Sequence, residues 1–385
     1  MNAIQTIFEP DCPLIKCQVI FPIGKLNETK KLQSMLFSQM LMKSTLSKNA
    51  FEIHSVLDFY GASMDCFSGP MHTTFEIYCH QKHWKNIVDL LFEVCYEAKF
   101  DISEWDLLLK KKIEELKQLK LQNDWLADKK IMTSLFGSEH NFGYIQTIND
   151  YQSIDLADII NFYNEKWLNA SPTFFIAGGI DNSSVEYLEK QLHSHKKQAI
   201  IESIKSKITY LESEQNTSSK QYQVSIRLGK LIECHDEMDF LTYEVFNMAL
   251  GGFFGSALMR EIRQKKGLTY GIYSYLQMYA NHGALIVSLE TAPSNLKIAL
   301  DAILSIFDRY YKDKDLFNEA KRQVYSNWIR SSSQSLNEIK NYVRFHKMGL
   351  DYKKYESLVK KIESIEFDLT KNKLGLASDL QIVYL

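Results

Sequence analysis

Leu250-Gly251-Gly252-Phe253-Phe254-Gly255-Ser256-Ala257-Leu258, followed by Arg263-Gln264-Lys265-Lys266-Gly267-Leu268-Thr269-Tyr270, is the stretch from which the fold is read. A helical run from Leu258 to Lys266 meets Gly267, a residue suited to end a helix, and a strand follows through Tyr270-Gly271-Ile272. The first half of the chain repeats this arrangement. Phe51 to Tyr60 reads as a helix, and Gly61-Ala62-Ser63-Met64-Asp65-Cys66 as a glycine running into a strand.

The repetition extends outward in both directions. Upstream, Leu14 to Lys25 and Tyr222 to Lys230 read as strands ending in Ile-Gly-Lys and Leu-Gly-Lys, each before a helix (Leu32 to Lys43; Met238 to Leu250). Downstream come a strand (Thr73 to Tyr78; Ala284 to Leu289), an amphipathic helix (Trp84 to Tyr96; Leu296 to Tyr310) and a long charged helix (Ser103 to Gln122; Asp315 to Ser331). A further helix in each half ends near Phe136-Gly137 or Met348-Gly349. Gly24 and Gly229 stand 205 positions apart, Gly61 and Gly267 206, and Gly137 and Gly349 212. That period is far longer than a solenoid repeat and predicts a duplicated domain. Each half closes on a strand, Thr173 to Ala177 and Leu380 to Tyr384. The expected division is 1–195, a linker region at 196–220, and 221–385. Short strands that neighbour one another in sequence, mixed with long helices, predict an α+β class: two homologous domains, each a mainly antiparallel sheet with helices on one face.

Composition narrows the function classes. The 385 residues are 45% hydrophobic and 24% charged with a formal net charge of −2, so a large core is available and no electrostatic case exists for nucleic acid or an anionic membrane. Cysteines 12, 17, 66, 79, 95 and 234 form no CxxC pair and read as reduced, mostly buried thiols. The sequence offers no signal-peptide pattern at its N-terminus and no run of 18 apolar residues; the expectation is a cytoplasmic protein without a membrane span.

The order of parts resembles the insulinase and mitochondrial processing peptidase family over essentially the whole chain. The Gly251-Gly252 loop, the Ser256-Ala257-Leu258 helix start, Arg263 and the Lys266-Gly267-Leu268-Thr269-Tyr270 turn carry the likeness. Catalytic members of that family bear His-x-x-Glu-His, in which two histidines four apart on one helix ligate zinc and the glutamate acts as general base. Laid onto this chain, with Lys43-Ser44-Thr45 matching the segment after the motif, those five positions are Met35-Leu36-Phe37-Ser38-Gln39. The distal glutamate of the family falls on Glu115. Met35, Ser38 and Gln39 offer neither histidine nor base, so no metal is inferred for this chain, and zinc is expected in a partner. The resemblance further implies that Arg263 and Tyr270 bind substrate and stabilise its oxyanion, and that Gly251 and Gly252 line the entrance to a chamber. A chain with this pair and without the zinc motif resembles the non-catalytic subunit of a heterodimer acting on peptides or unfolded segments, its partner homologous and bearing His-x-x-Glu-His.

Blander readings stand beside these. Arg263 also suits a helix cap or a surface ion pair, and Tyr270 a core position like Tyr273 and Tyr275. Glu115, in a lysine-rich helix, suits a solvated face. The glycines at 251, 252 and 255 lack the Gly-Lys-Ser/Thr of a phosphate loop. Cys79, His80 and His83 read as a surface turn, and Met35, Met40 and Met42 as core packing. A structural or scaffold relative, and an autonomous hydrolase with an unrecognised site, remain the competing functions.

Overall fold

The computed structural model describes residues 4–195, 223–280, 282–367 and 380–385. The expected linker at 196–220 lies outside them. The chain divides into two compact units: Met1–Leu116 with Gln146–Ser206 and Ser333–Arg344, and Lys117–Ile145 with Lys207–Ser332 and Phe345–Leu385. These units do not coincide with the sequence halves.

The first unit is built on five strands: β1 (Ile4–Phe8), β2 (Leu14–Phe21), β3 (Ser63–Ser68), β4 (Thr73–His80) and β5 (Thr173–Gly178), in the order β1-β5-β2-β4-β3. All its pairings are antiparallel except β1 with β5, so the sheet is mainly antiparallel as expected. Its helices are α1 (Gln33–Met40), α2 (Ala50–Tyr60), α3 (Trp84–Tyr96), α4 (Ile102–Leu119, of which residues to Leu116 belong here), past α5 (Asn123–Phe136) of the second unit, α6 (Ile148–Ser153), α7 (Leu156–Glu165) and α8 (Asn182–His195), and the greater part of a later helix, Ser335–Lys347, as far as Arg344.

Alternation along β2 explains how this unit is held. Ile15, Cys17, Val19 and Phe21 share one face and are buried under the helices. There Trp167 stacks on Phe21 (ring centroids 3.9 Å apart) and meets Phe37 of α1 at 5.0 Å. The Trp167 indole donates to the Cys95 carbonyl at 2.9 Å, so its polar edge is satisfied although the side chain is wholly buried. The opposite face of β2 carries Lys16 and Gln18. Lys16 is buried and meets Glu76 of β4 at 2.9 Å, and the Gln18 amide donates to the same carboxylate at 3.1 Å.

The second unit holds β6 (Val224–Glu233), β7 (Ile272–Tyr279), β8 (His282–Thr291) and β9 (Gln381–Tyr384) in the order β7-β8-β6-β9, every pairing antiparallel. Its helices are α5, α9 (Glu237–Asn247), α10 (Leu296–Phe307), α11 (Lys314–Ser332), the last residues of α12 (Ser335–Lys347) and α13 (Tyr355–Ser364). Helix α5 lies on the β6 sheet. Arg227 of β6, almost fully buried, donates to Asp128 of α5 at 2.5 Å and to Glu290 of β8 at 3.0 Å. Burial lowers the Arg227 pKa, but the two carboxylates outweigh it and hold the group above its ordinary value.

One glycine pair of the repeat agrees with the sequence reading and one does not. Gly61 and Gly267 share left-handed backbone (φ 59° and 63°), the conformation that ends a helix and strains any residue with a Cβ. Gly24 and Gly229 are not equivalent. Gly24 follows β2, whereas Gly229 lies inside β6, which continues to Glu233. The reason is packing: a Cβ on Gly229 would stand 3.0 Å from the Ile131 side chain and 3.1 Å from Leu135, both of α5. Glycine is there to admit the helix. Strand β1 has no counterpart in the sequence reading.

All six cysteines are free, four of them buried. No helix among the described residues is long and apolar enough to cross a membrane. Replacement of Trp167 by alanine is expected to remove about 3–5 kcal/mol from the stability of the first unit. Urea unfolding followed by circular dichroism measures it, and an unmoved midpoint would remove the stacked ring from the account of the core.

Candidate functional site: an exposed arginine and tyrosine on the second unit

Asp236 caps α9, accepting from the Asp239 amide at 2.8 Å. Past Asn247 the helix widens into a π-helical turn, Met248–Gly252, and a second π-helical segment spans Met259–Lys265. Such turns are rare and recur at functional sites. Between them lies the loop Phe253 to Ser256, closed by the Ser256 amide donating to the Phe253 carbonyl at 3.1 Å. The Ser274 hydroxyl of β7 donates to the Asn247 carbonyl at 3.1 Å and so ties the start of this region to the sheet.

The second π-helical segment sorts its residues by face. Leu258, Met259 and Ile262 are buried; Arg263, Gln264, Lys265 and Lys266 are exposed. After it the chain reverses at Gly267, with the Gly267 and Leu268 amides donating to the carbonyls of Arg263 (3.2 Å) and Ile262 (3.0 Å). The next four residues are stitched to β8. Thr269 Oγ1 lies 2.6 Å from the Glu290 carbonyl and 2.8 Å from that of Gly271, and Thr291 Oγ1 donates to the Leu268 carbonyl at 2.5 Å. Held by its neighbours, Tyr270 projects outward. It is 90% exposed, and its hydroxyl has no hydrogen-bond partner among the described residues. Its core-packing reading is thereby corrected: the segment's burial is supplied by Ile272, and Tyr270 contributes none.

The charges around Arg263 divide into paired and unpaired. Arg260 pairs with Glu319, and Lys265 with Glu261 at 2.5 Å. Three cations, Lys265 first among them, keep the Glu261 carboxyl below its ordinary range. Arg263 has no carboxylate partner among the described residues; its guanidinium carbon lies 5.6 Å from the centroid of the Phe254 ring. The ion-pair reading of Arg263 therefore fails. The sequence reading did not single out Phe254; its place between glycines was the one available signal.

Gly251 and Gly252, read from the sequence as a loop, close the first π-helical turn instead, and the two differ. Gly251 is buried, and a Cβ there would meet the Ser274 backbone nitrogen at 2.6 Å. Gly252 is exposed, and a Cβ there would meet first the movable Met248 thioether at 3.0 Å.

In the first unit the positions aligned with a zinc motif lie on α1. Met35 and Gln39 are four apart and both half-buried; Ser38 is buried, its hydroxyl donating to the Met35 carbonyl at 2.9 Å. Glu115 is half-exposed on α4 and meets Lys112 at 2.7 Å and Lys111 at 3.9 Å, the solvated-face arrangement. A thioether, an amide and a hydroxyl already committed to the backbone do not fit zinc, which takes thiolate, imidazole and carboxylate. No two of the ten histidines in the sequence are four positions apart. Among the described residues no three His, Cys, Asp or Glu side chains converge as a metal site. His80 serves a local turn, accepting from the Lys82 amide at 3.2 Å.

A duplicated α+β chain carrying an exposed Arg/Tyr pair on its second repeat is of the zinc-peptidase class in fold. Residues 9–141 match the family profile of insulinase, peptidase family M16, and residues 153–324 that of the peptidase M16 inactive domain. The chain belongs to the M16 peptidase family. It is 25% identical over 309 residues to an uncharacterized zinc protease, YmxG, of Bacillus subtilis, the match covering 77% of this chain and 73% of that one. A peptidase M16 inactive domain from Pseudomonas fluorescens superposes with a TM-score of 0.85 at 19% identity, covering 99% of this chain and 95% of that one. A protease from Helicobacter pylori does so with a TM-score of 0.83 at 14% identity, covering 100% and 97%. At these identities the two structures speak to fold alone.

The contrast between the glycines yields an outcome. Gly251→Ala is expected to cost about 1–3 kcal/mol through overpacking against β7. Gly252→Ala is expected to stay within about 0.5 kcal/mol of wild type. Thermal unfolding of both variants reads the difference, and equal costs would refute the close approach of Gly251 to the strand.

Proposed function

We propose that this chain is the non-catalytic, substrate-binding subunit of a heterodimeric zinc metallopeptidase acting on peptides or unfolded segments. One observation carries the reading: an unpaired guanidinium and an unpartnered phenol stand exposed on the second unit of a chain whose own α1 positions do not fit zinc. Exposed side chains without an ion pair or hydrogen bond are poor candidates for structural roles, since they stabilise little. As recognition groups they have a clear use. A guanidinium stays charged at any working pH and presents five donors in a planar fork. A tyrosine hydroxyl aimed at a carbonyl undergoing attack stabilises the charge that develops there.

Metal and its water are left to a homologous partner bearing His-x-x-Glu-His. Met35, Ser38, Gln39 and Glu115 are on this reading relics of a ligand set. The turn that ends at Gly251 and Gly252 shapes the approach to the pair. The edge strands β3 and β7 offer backbone donors and acceptors to which an extended peptide adds as a further strand. Six free thiols favour a reducing compartment, and we assign the protein to the cytoplasm on that ground.

The test is co-expression with a homologous subunit carrying the zinc motif, then cleavage of a quenched fluorogenic peptide by the pair and by each chain. The pair is expected to cleave and neither chain alone to do so. Tyr270→Phe should lower kcat on the order of 10²-fold, the usual cost of one oxyanion donor. Full turnover by the variant would instead favour a scaffold without a part in catalysis.

A further inference from the structure

Phe254 is 65% exposed, too open for its ring to be explained by core packing. It stands in a loop flanked by Gly252 and Gly255, and its carbonyl accepts from the Gln264 side-chain amide at 3.1 Å. Gln264 is the residue after Arg263, so this bond fixes the loop to the turn of helix that carries the arginine. The ring then meets the guanidinium, with 5.6 Å between the guanidinium carbon and the ring centroid. That separation lies within cation–π range.

The contact differs in kind from those of the neighbouring cations. Arg260 and Lys265 are each held by a carboxylate, which offsets their charge and engages a donor of each. Arg263 is held by a ring face. A ring face attracts a guanidinium without accepting conventional hydrogen bonds from it, so the contact can orient the group while its N–H donors stay free for a ligand. A carboxylate at the same place would compete with the carbonyls of a bound peptide; an aromatic ring does not.

We infer that Phe254 is a positioning residue, the seat that holds the Arg263 guanidinium in one orientation for a peptide ligand. The inference rests on the proposed role of Arg263 as a substrate-binding group. It deepens that reading by assigning the presentation of the arginine to the glycine-flanked loop.

The seat itself is tested on the isolated full chain by nitrogen-15 NMR of arginine Nε–H groups. In wild type the Arg263 Hε resonance is expected to be shifted by the ring and restricted in motion. F254L should abolish both features, F254Y should keep them, and Gln264→Ala should weaken them by releasing the loop. In the assembled pair, cleaving a quenched fluorogenic peptide, F254L should lower kcat/KM about two- to fivefold, the range of an exposed cation–π contact. F254Y should restore it, and F254L should add nothing in an R263A background. An Arg263 signal as mobile in wild type as in F254L would overturn the inference. So would independent, multiplicative losses in F254L and R263A, which would make Phe254 a separate contact with the peptide. If R263A alone leaves turnover unchanged, the functional reading fails instead, and the NMR comparison still decides whether the ring seats the guanidinium.

Discussion

The hydroxyls of Thr269 and Thr291 bind the segment Leu268 to Gly271 to the end of β8, and the outward projection of Tyr270 depends on that stitch. The segment leaves a helix at Gly267 and enters β7 at Ile272, so it is too short to form a structure of its own. Its carbonyls and amides would otherwise seek water or one another. With Thr269 turned to the sheet, the next side chain faces solvent. An aromatic residue held at 90% exposure gains almost nothing from burial. The packing is supplied instead by the strand that follows, beginning with the buried Ile272.

The same economy governs the charges. Most cations of the second unit near this segment have carboxylate partners, and the most deeply buried of the unit's arginines in contact with a helix, Arg227, is tied to both Asp128 and Glu290. Buried charge must be paired because desolvation is expensive. Exposed charge is under no such constraint, so an arginine with no carboxylate, lying instead over a ring that is itself exposed, is free to serve a ligand. The two π-helical turns belong to this picture. They lie on either side of the loop, across which Phe254 and Arg263 meet although nine positions separate them.

The repeat was legible because punctuation survives when side chains drift. Gly61 and Gly267 occupy the same left-handed conformation, which few residues other than glycine adopt at low cost. The limits of the sequence reading are equally physical. Gly229 looked like a strand terminus and proved to be an interior position kept small for Ile131 and Leu135. Nothing local distinguishes a glycine that ends a strand from one that receives a helix. Strand β1 escaped notice because five residues at a sheet edge carry little hydrophobic pattern. The candidate site was legible in Arg263 and Tyr270 through family resemblance. Phe254 was not, because its role depends on a contact that spacing does not predict.

By itself the sequence determined the duplicated α+β plan, the absence of a histidine pair at zinc-helix spacing, and the identity of the arginine and tyrosine worth watching. These follow from local periodicity, from turn chemistry and from which side chains can ligate metal. Only tertiary structure decided that α5 covers the second unit's sheet, that Tyr270 faces solvent, and that Arg263 lies over a ring while Arg260 and Lys265 are ion-paired. Those outcomes are set by which surfaces meet, and a helix that presents an apolar stripe carries no local record of the sheet that will bury it.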